Sequence, residues 1–162
     1  MILVTVGLHQ AGFERLVRAM DAYAATSHER VVIQRGTAAY RPRHADHFRF
    51  APPDRMAALS QEARVIVAHA AAGTAVLALR LGKPLVLVPR RQAFGEHLDD
   101  HQQELAHALA AGGRAVVVDH PAPWTLRQAL AAATRLPPAG GDPAPLLAAL
   151  RELLTGWERT PA

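Results

Sequence analysis

The sequence predicts an α/β domain built on one parallel sheet with helices covering both faces. Three observations carry that reading. Short β-branched runs alternate with helical patterns along most of the 162 residues. The runs are apolar throughout, as strands buried on both faces must be. Strands separated by helices require crossover connections, which are right-handed and give parallel neighbours.

Ile2–Val6 reads as a buried strand that stops at Gly7. Phe13–Tyr23 follows, with Phe13, Leu16, Val17 and Met20 forming an apolar stripe at helical spacing. Val31–Gln34 is the second strand, ended by Gly36, and a polar loop over 37–47 holds Arg41, Arg43, His44 and His47. Phe48–Phe50 is read as a short third strand. Pro52-Pro53-Asp54 signals a helix entry, with Asp54 expected as N-cap of Arg55–Ser60. Val65–Ala68 is a strand, His69–Thr74 a turn of small residues, and Ala75–Leu81 a helix closed by Gly82. Leu85–Val88 is a further buried strand. A polar segment, Arg90–Leu98, leads to a helix from about Asp99 to Ala111, closed by Gly112-Gly113. Ala115–Val118 is the last strand and Trp124–Thr134 the helix after it. A Pro/Gly-rich linker over 136–145 and a final helix over 146–157 complete a single expected domain, 1–162.

Composition excludes several functions. No cysteine is present, so a disulfide scaffold, a thiolate metal site and a cysteine nucleophile are ruled out. The net charge is +4, yet 17 of the 18 cations are Arg and no run exceeds Arg90-Arg91. With only eight aromatic residues for base stacking, nucleic acid is not an expected partner. Met1–Val6 lacks the basic leader of a signal peptide. No stretch nears the roughly 20 apolar residues that span a bilayer, so a cytoplasmic protein is expected.

An open parallel sheet places ligands outside the carboxyl ends of its strands. The loops there are Gly7–Gly12, Gly36–His47, His69–Thr74 and Pro89–Asp100. His69-Ala-Ala-Ala72-Gly73-Thr74 sets small side chains where a strand enters a helix, a setting in which free N–H groups face a phosphate. It is neither a GxGxxG fingerprint nor a P-loop, and a turn chosen for packing explains it equally. Gly7-Leu8-His9-Gln10-Ala11-Gly12 is a second candidate phosphate-facing turn. In Arg90–Glu104, Arg90 or Arg91 could offset phosphate charge. Gln102 and Gln103, with Glu96 and Asp100, could read sugar hydroxyls. His97 and His101 stand four apart and could join Asp100 or Glu104 around a metal, but HxxxH lacks the further ligand of a zinc signature. No metal and no cofactor is expected.

Taken in order, these motifs resemble the C-terminal domain of glycosyltransferase family 28. The likeness rests on His69–Arg91, Gly95–Ala106, Val4–Val17 and Val32–Gly36, and covers about residues 1–120. It is greatest to the small E-type (PssE-like) subunits of two-component bacterial exopolysaccharide glycosyltransferases. The resemblance implies a Rossmann-like domain, the C-terminal half of a GT-B enzyme, that binds a UDP-sugar. By position it implies uracil at Ala51-Pro52-Pro53 and diphosphate at Ala72-Gly73-Thr74. It places the donor sugar at Gln102, Gln103 and Asp100. Leu77 stands where many relatives carry a ribose-binding Glu, and Leu8 and Ala71 depart from the usual Thr and Gly.

Also implied is an acceptor-binding half on a separate, membrane-associated subunit, since 162 residues leave no room for it. That partner would hold the chain at the inner face of the plasma membrane and present a lipid-linked acceptor. His9 is the one in-chain candidate for a general base; otherwise the base belongs to the partner. The competing expectation, prompted by Leu77, is a non-catalytic UDP-sugar-binding or scaffold subunit.

Overall fold

The structure is a computed structural model and describes residues 1–98 and 101–137. The linker expected over 136–145 lies outside these from residue 138 onward, and the helix expected over 146–157 lies wholly outside. Asp99 and Asp100 are outside them too.

Six strands make one sheet: β1 (Ile2–Thr5), β2 (Val31–Gln34), β3 (Asp46–Phe48), β4 (Val65–Ala68), β5 (Leu85–Leu87) and β6 (Val116–Val117). Their order is β3-β2-β1-β4-β5-β6 and every neighbouring pair is parallel. The chain therefore builds outward from β1 in one direction and from β4 in the other. Where the two halves meet, the connections leave the sheet on opposite faces and a crevice opens at the strand ends. In register, Thr5 lies between Gln34 of β2 and Ala68 of β4.

Alternation along β1 divides the core in two. Ile2 and Val4 point to one face, where α1 (Glu14–Ala24) and α5 (Pro123–Ala133) pack. Leu3 points to the other, against α3 (Ala72–Arg80) and α4 (His101–Ala111). The stripe Phe13, Leu16, Val17 and Met20 is fully buried on the first face, as its helical spacing requires. α2 (Pro53–Glu62) connects β3 to β4. No described helix is long and apolar enough to cross a membrane.

Beyond shifts of a residue or two at element ends, three elements differ from expectation. The third strand is Asp46–Phe48 rather than Phe48–Phe50, because this edge strand exposes Asp46 and His47 and leaves no apolar signature. α2 starts at Pro53 with Pro52 as N-cap, so Asp54 lies in the first turn and does not cap. α3 starts at Ala72, three residues before the expected Ala75, which draws Ala72, Gly73 and Thr74 out of the turn and into the helix.

The polar loop between β2 and β3 is ordered from within. Asp21 of α1 is buried and accepts the Tyr40 hydroxyl at 2.7 Å and the N–H groups of Arg43, His44 and Ala45 at 2.8–3.1 Å. Burial alone would raise its pKa. The backbone N–H donors and the Tyr40 hydroxyl outweigh that and hold it below the ordinary carboxylate value.

Candidate functional site

At the end of β1 the chain turns at Gly7, whose φ of 77° suits glycine. The His69 ring leaves no room there for a side chain, since a Cβ on Gly7 would sit 2.5 Å from its Cε1 and Nε2. His69 is buried, its Nδ1 3.4 Å from the Thr5 carbonyl oxygen. Burial first, and the nearby Arg90 charge second, lower its pKa to about 4, so the ring is neutral near pH 7.

Gln34 fastens the same corner. Its Oε1 accepts the Thr5 hydroxyl and the N–H groups of Val6 and Gly7 at 2.8–3.1 Å. Its Nε2 donates to the carbonyls of Gly7 and Arg49, both at 3.0 Å. Sequence reasoning passed over this residue. The available signal was one amide at the end of an otherwise apolar buried strand, where it must find partners.

Across the crevice stands the N-terminus of α3. Ala71 is its N-cap and brings no side-chain acceptor. The first intrahelical bond runs from the Ala75 N–H to the Ala71 carbonyl, which leaves the N–H groups of Ala72, Gly73 and Thr74 unsatisfied by the helix. Gly73 is exposed, and a Cβ there would meet nothing within 4 Å. The arrangement is a positive helix end open to an anion.

Between Gly7 and α3 lies a cavity of about 280 Å³. Gly7, Pro53, Gly73 and Thr74 line it, as the sequence assigns. Leu8, Ala51 and Leu77 join them, together with Thr5, Gln34, Phe50, Met56, Ser60 and Ile66. Apolar walls with a polar floor and an open helix end suit a flat ring carrying a phosphate tail.

The other assigned residues lie elsewhere. Arg90 is fully buried and donates to the carbonyls of Val6, Ala11, Gly12 and Glu96 at 2.9–3.2 Å. Its guanidinium also lies over the Phe13 ring, 4.7 Å from the centroid. Burial lowers its pKa to about 10, against the opposing pull of Glu96, and it stays charged at neutral pH. Thus the cation expected to meet phosphate instead ties the loop after β1 to the segment after β5. Glu96, expected to read a sugar, is buried in a two-bond pair with Arg15 at 2.8 and 3.0 Å and accepts the Arg91 N–H at 3.1 Å. Arg91 pairs with Asp119 at 3.1 Å. The Gln102 Oε1 accepts the Arg90 N–H at 3.2 Å, while Gln103 is half-buried beside it on α4. Asp100 is outside the described residues.

His9 is half-buried on the loop after β1, its ring stacked on that of His97 at 4.9 Å. Its Nδ1 accepts the Ala11 N–H at 3.1 Å. Desolvation, then Arg90 and His97, lower its pKa. A neutral ring that accepts at Nδ1 carries its proton on Nε2. In that tautomer Nε2 holds a proton rather than a lone pair, so a general base at that atom needs the other tautomer. No three described His, Asp or Glu side chains gather as a metal-ligand set.

A larger open groove of about 760 Å³ runs along β6 and α5, lined by Val116, Val117, Trp124 and Ala129 among others. It is at the sheet edge, along β6, away from the β1/β4 junction where the strand order reverses. The crevice at the β1/β4 junction is the better candidate.

Comparison with known proteins agrees with this fold. Residues 1–135 match the family model described as glycosyltransferase family 28 C-terminal domain. No curated protein matches the chain significantly. Among solved structures, the calicheamicin glycosyltransferase CalG4 superposes with a TM-score of 0.59 at 21% identity, over 94% of this chain and 36% of that one. The glycosyltransferase of kitacinnamycin gives 0.60 at 22%, over 96% and 40%. MurG of Acinetobacter baumannii gives 0.56 at 21%, over 82% and 43%. The chain thus spans about two fifths of the length of these structures, and at such identities they establish the fold, that of GT-B C-terminal domains.

Proposed function

This chain belongs to the glycosyltransferase family 28 C-terminal domain family, and from that premise we propose that it is the UDP-sugar-binding subunit of an inverting two-component glycosyltransferase. The observation that carries the reading is the cavity between Gly7 and the open N-terminus of α3 at the β1/β4 junction. A uracil fits against Phe50, Ala51 and Pro53. The diphosphate then reaches the N–H groups of Ala72, Gly73 and Thr74. These fixed donors and the helix dipole would stabilise the charge that grows on the departing diphosphate, so no metal is required for that role. Gln102, Gln103 and Asp100 are proposed to bracket the donor sugar.

The acceptor half comes from a partner that is membrane-associated, presents a lipid-linked acceptor and supplies the general base. Exposed apolar side chains support a covered face. Leu8, Phe50, Phe94, Leu98 and Trp124 are exposed among the described residues, and all follow the carboxyl ends of strands. In a parallel sheet those ends share one edge, the edge that holds the cavity. Calorimetry on the purified chain should show UDP binding, with sugar transfer appearing only once the partner is added. Robust turnover by the chain alone would sink the two-subunit reading.

Leu77 favours a second reading, a non-catalytic UDP-sugar-binding or scaffold subunit, because it sets an apolar side chain in the cavity wall. Absence of UDP binding together with normal partner capture would select a scaffold.

A further inference from the structure

We propose that residues 146–157 of this chain lie in the open groove along β6 and α5, antiparallel to α5, and so close the edge of the sheet. The inference is independent of the nucleotide reading and starts from an uncovered wall. Val116 and Val117 of β6 are only half-buried, whereas a strand of a parallel sheet is ordinarily covered on both faces. On α5 the groove follows Thr125, Gln128, Ala129 and Ala132, which share one helix face. The two alanines let a second helix approach closely.

The occupant is written in the same sequence. Leu146, Leu147, Leu150, Leu153, Leu154 and Trp157 recur at the spacing of one helix face, with Arg151, Glu152 and Thr155 away from it. Such a stripe needs an apolar surface, since a helix this short gains little stability alone. The chain also reaches the groove from the right end. Leu136 and Pro137 lie beside Pro84 and Arg114, just before β5 and β6 begin. From there residues 138–145 can extend about 26 Å, more than the roughly 8–10 Å between packed helix axes. As a helix, residues 146–157 would run about 18 Å, against about 17 Å for α5. Running opposite to α5, they bring Leu147 to Ala132, Leu150 to Gln128 and Trp157 to Trp124.

The chain has no cysteine, so introduced pairs report this contact in the full-length protein. Gln128→Cys with Leu150→Cys, and Ala132→Cys with Leu147→Cys, should close intramolecular disulfides under mild oxidation. Closure should be at least tenfold faster than for Gln128→Cys with Glu152→Cys, at the same height on the opposite face. Equal rates for all three pairs, or no closure, would overturn the proposal. Links formed only between chains would overturn it too, and would seat a second copy in the groove. In a Trp157→Phe background Trp124 is the only indole. Adding Leu150→Glu and Leu154→Glu there should at least double its quenching by iodide while thermal unfolding stays cooperative. Unchanged quenching in that folded variant would show the groove uncovered throughout, and the proposal would fall.

Discussion

The imidazole of His69 fills the space into which a side chain on Gly7 would project, so that a Cβ there would be 2.5 Å from two ring atoms. Two separate penalties therefore guard Gly7. A side chain at φ 77° costs roughly 1–2 kcal/mol in backbone strain. Overpacking against a buried ring adds about 1–3 kcal/mol. Gly7→Ala should lose the sum of the two by chemical denaturation. Truncating the ring in the same background, with His69→Ala, should recover the overpacking part alone. Additive losses in the double variant would mean that ring and turn are not in contact.

His69 also ties stability to pH. Its folded pKa, about 4, is below the ordinary 6.5, so between those values the unfolded chain binds more protons than the folded one. Stability due to the neutral ring is complete above about pH 6.5 and declines as pH falls toward 4. The full loss is about 3 kcal/mol, at 1.36 kcal/mol per unit. Urea midpoints taken from pH 7 to 4 should trace that decline, and His69→Leu should flatten it. Asp21 acts lower on the scale. Its depressed pKa gives stability that is present above its ordinary 3.8 and lost as pH drops further.

Arg90 separates a ligand role from a structural one. Four carbonyls accept from its two terminal nitrogens, a geometry a single ammonium cannot reproduce. Arg90→Lys keeps the charge, and should still cost about 3 kcal/mol or more as charge-assisted bonds are lost. For a domain of this size that is a Tm lower by roughly 10 °C. A variant with unchanged Tm but weakened UDP binding would restore the phosphate role the sequence suggests.

The strands were legible because burial on both faces writes itself as apolar, β-branched runs, and β2 and β4 fall at their expected residues. β3 was not, since an edge strand with Asp46 and His47 in solvent has no such pattern. The glycine turns could be placed at the cavity because topology assigns the strand ends to one edge, whereas Pro53 was placed there only by the family resemblance. What sequence could not show is how loops use their charges. An Arg in a polar segment is ordinarily solvated. Only the packing of the loop after β1 against that after β5 buries Arg90 and Glu96. Asp21 was hidden likewise, on a helix whose loop partners lie 19–24 residues away. The start of α3 was missed because Ala and Gly read equally as turn or helix.

That start yields the last prediction. Ala is among the poorest N-cap residues, and Ala71 already has extended backbone angles, φ −101° and ψ 137°, which a capping side chain adopts. Ala71→Asp should place a carboxylate on the N–H of Gly73 or Thr74 and stabilise the fold by about 1 kcal/mol. The same carboxylate occupies the donors proposed for the diphosphate and repels it. UDP affinity should fall at least tenfold while Tm rises by about 3 °C. Ala71→Ser caps without charge, so it should keep part of the stability gain and lose less binding. A gain in stability with binding left intact would show that the anion does not sit on this helix end. A fall in both would show that Ala71 is kept for packing, not for an open terminus.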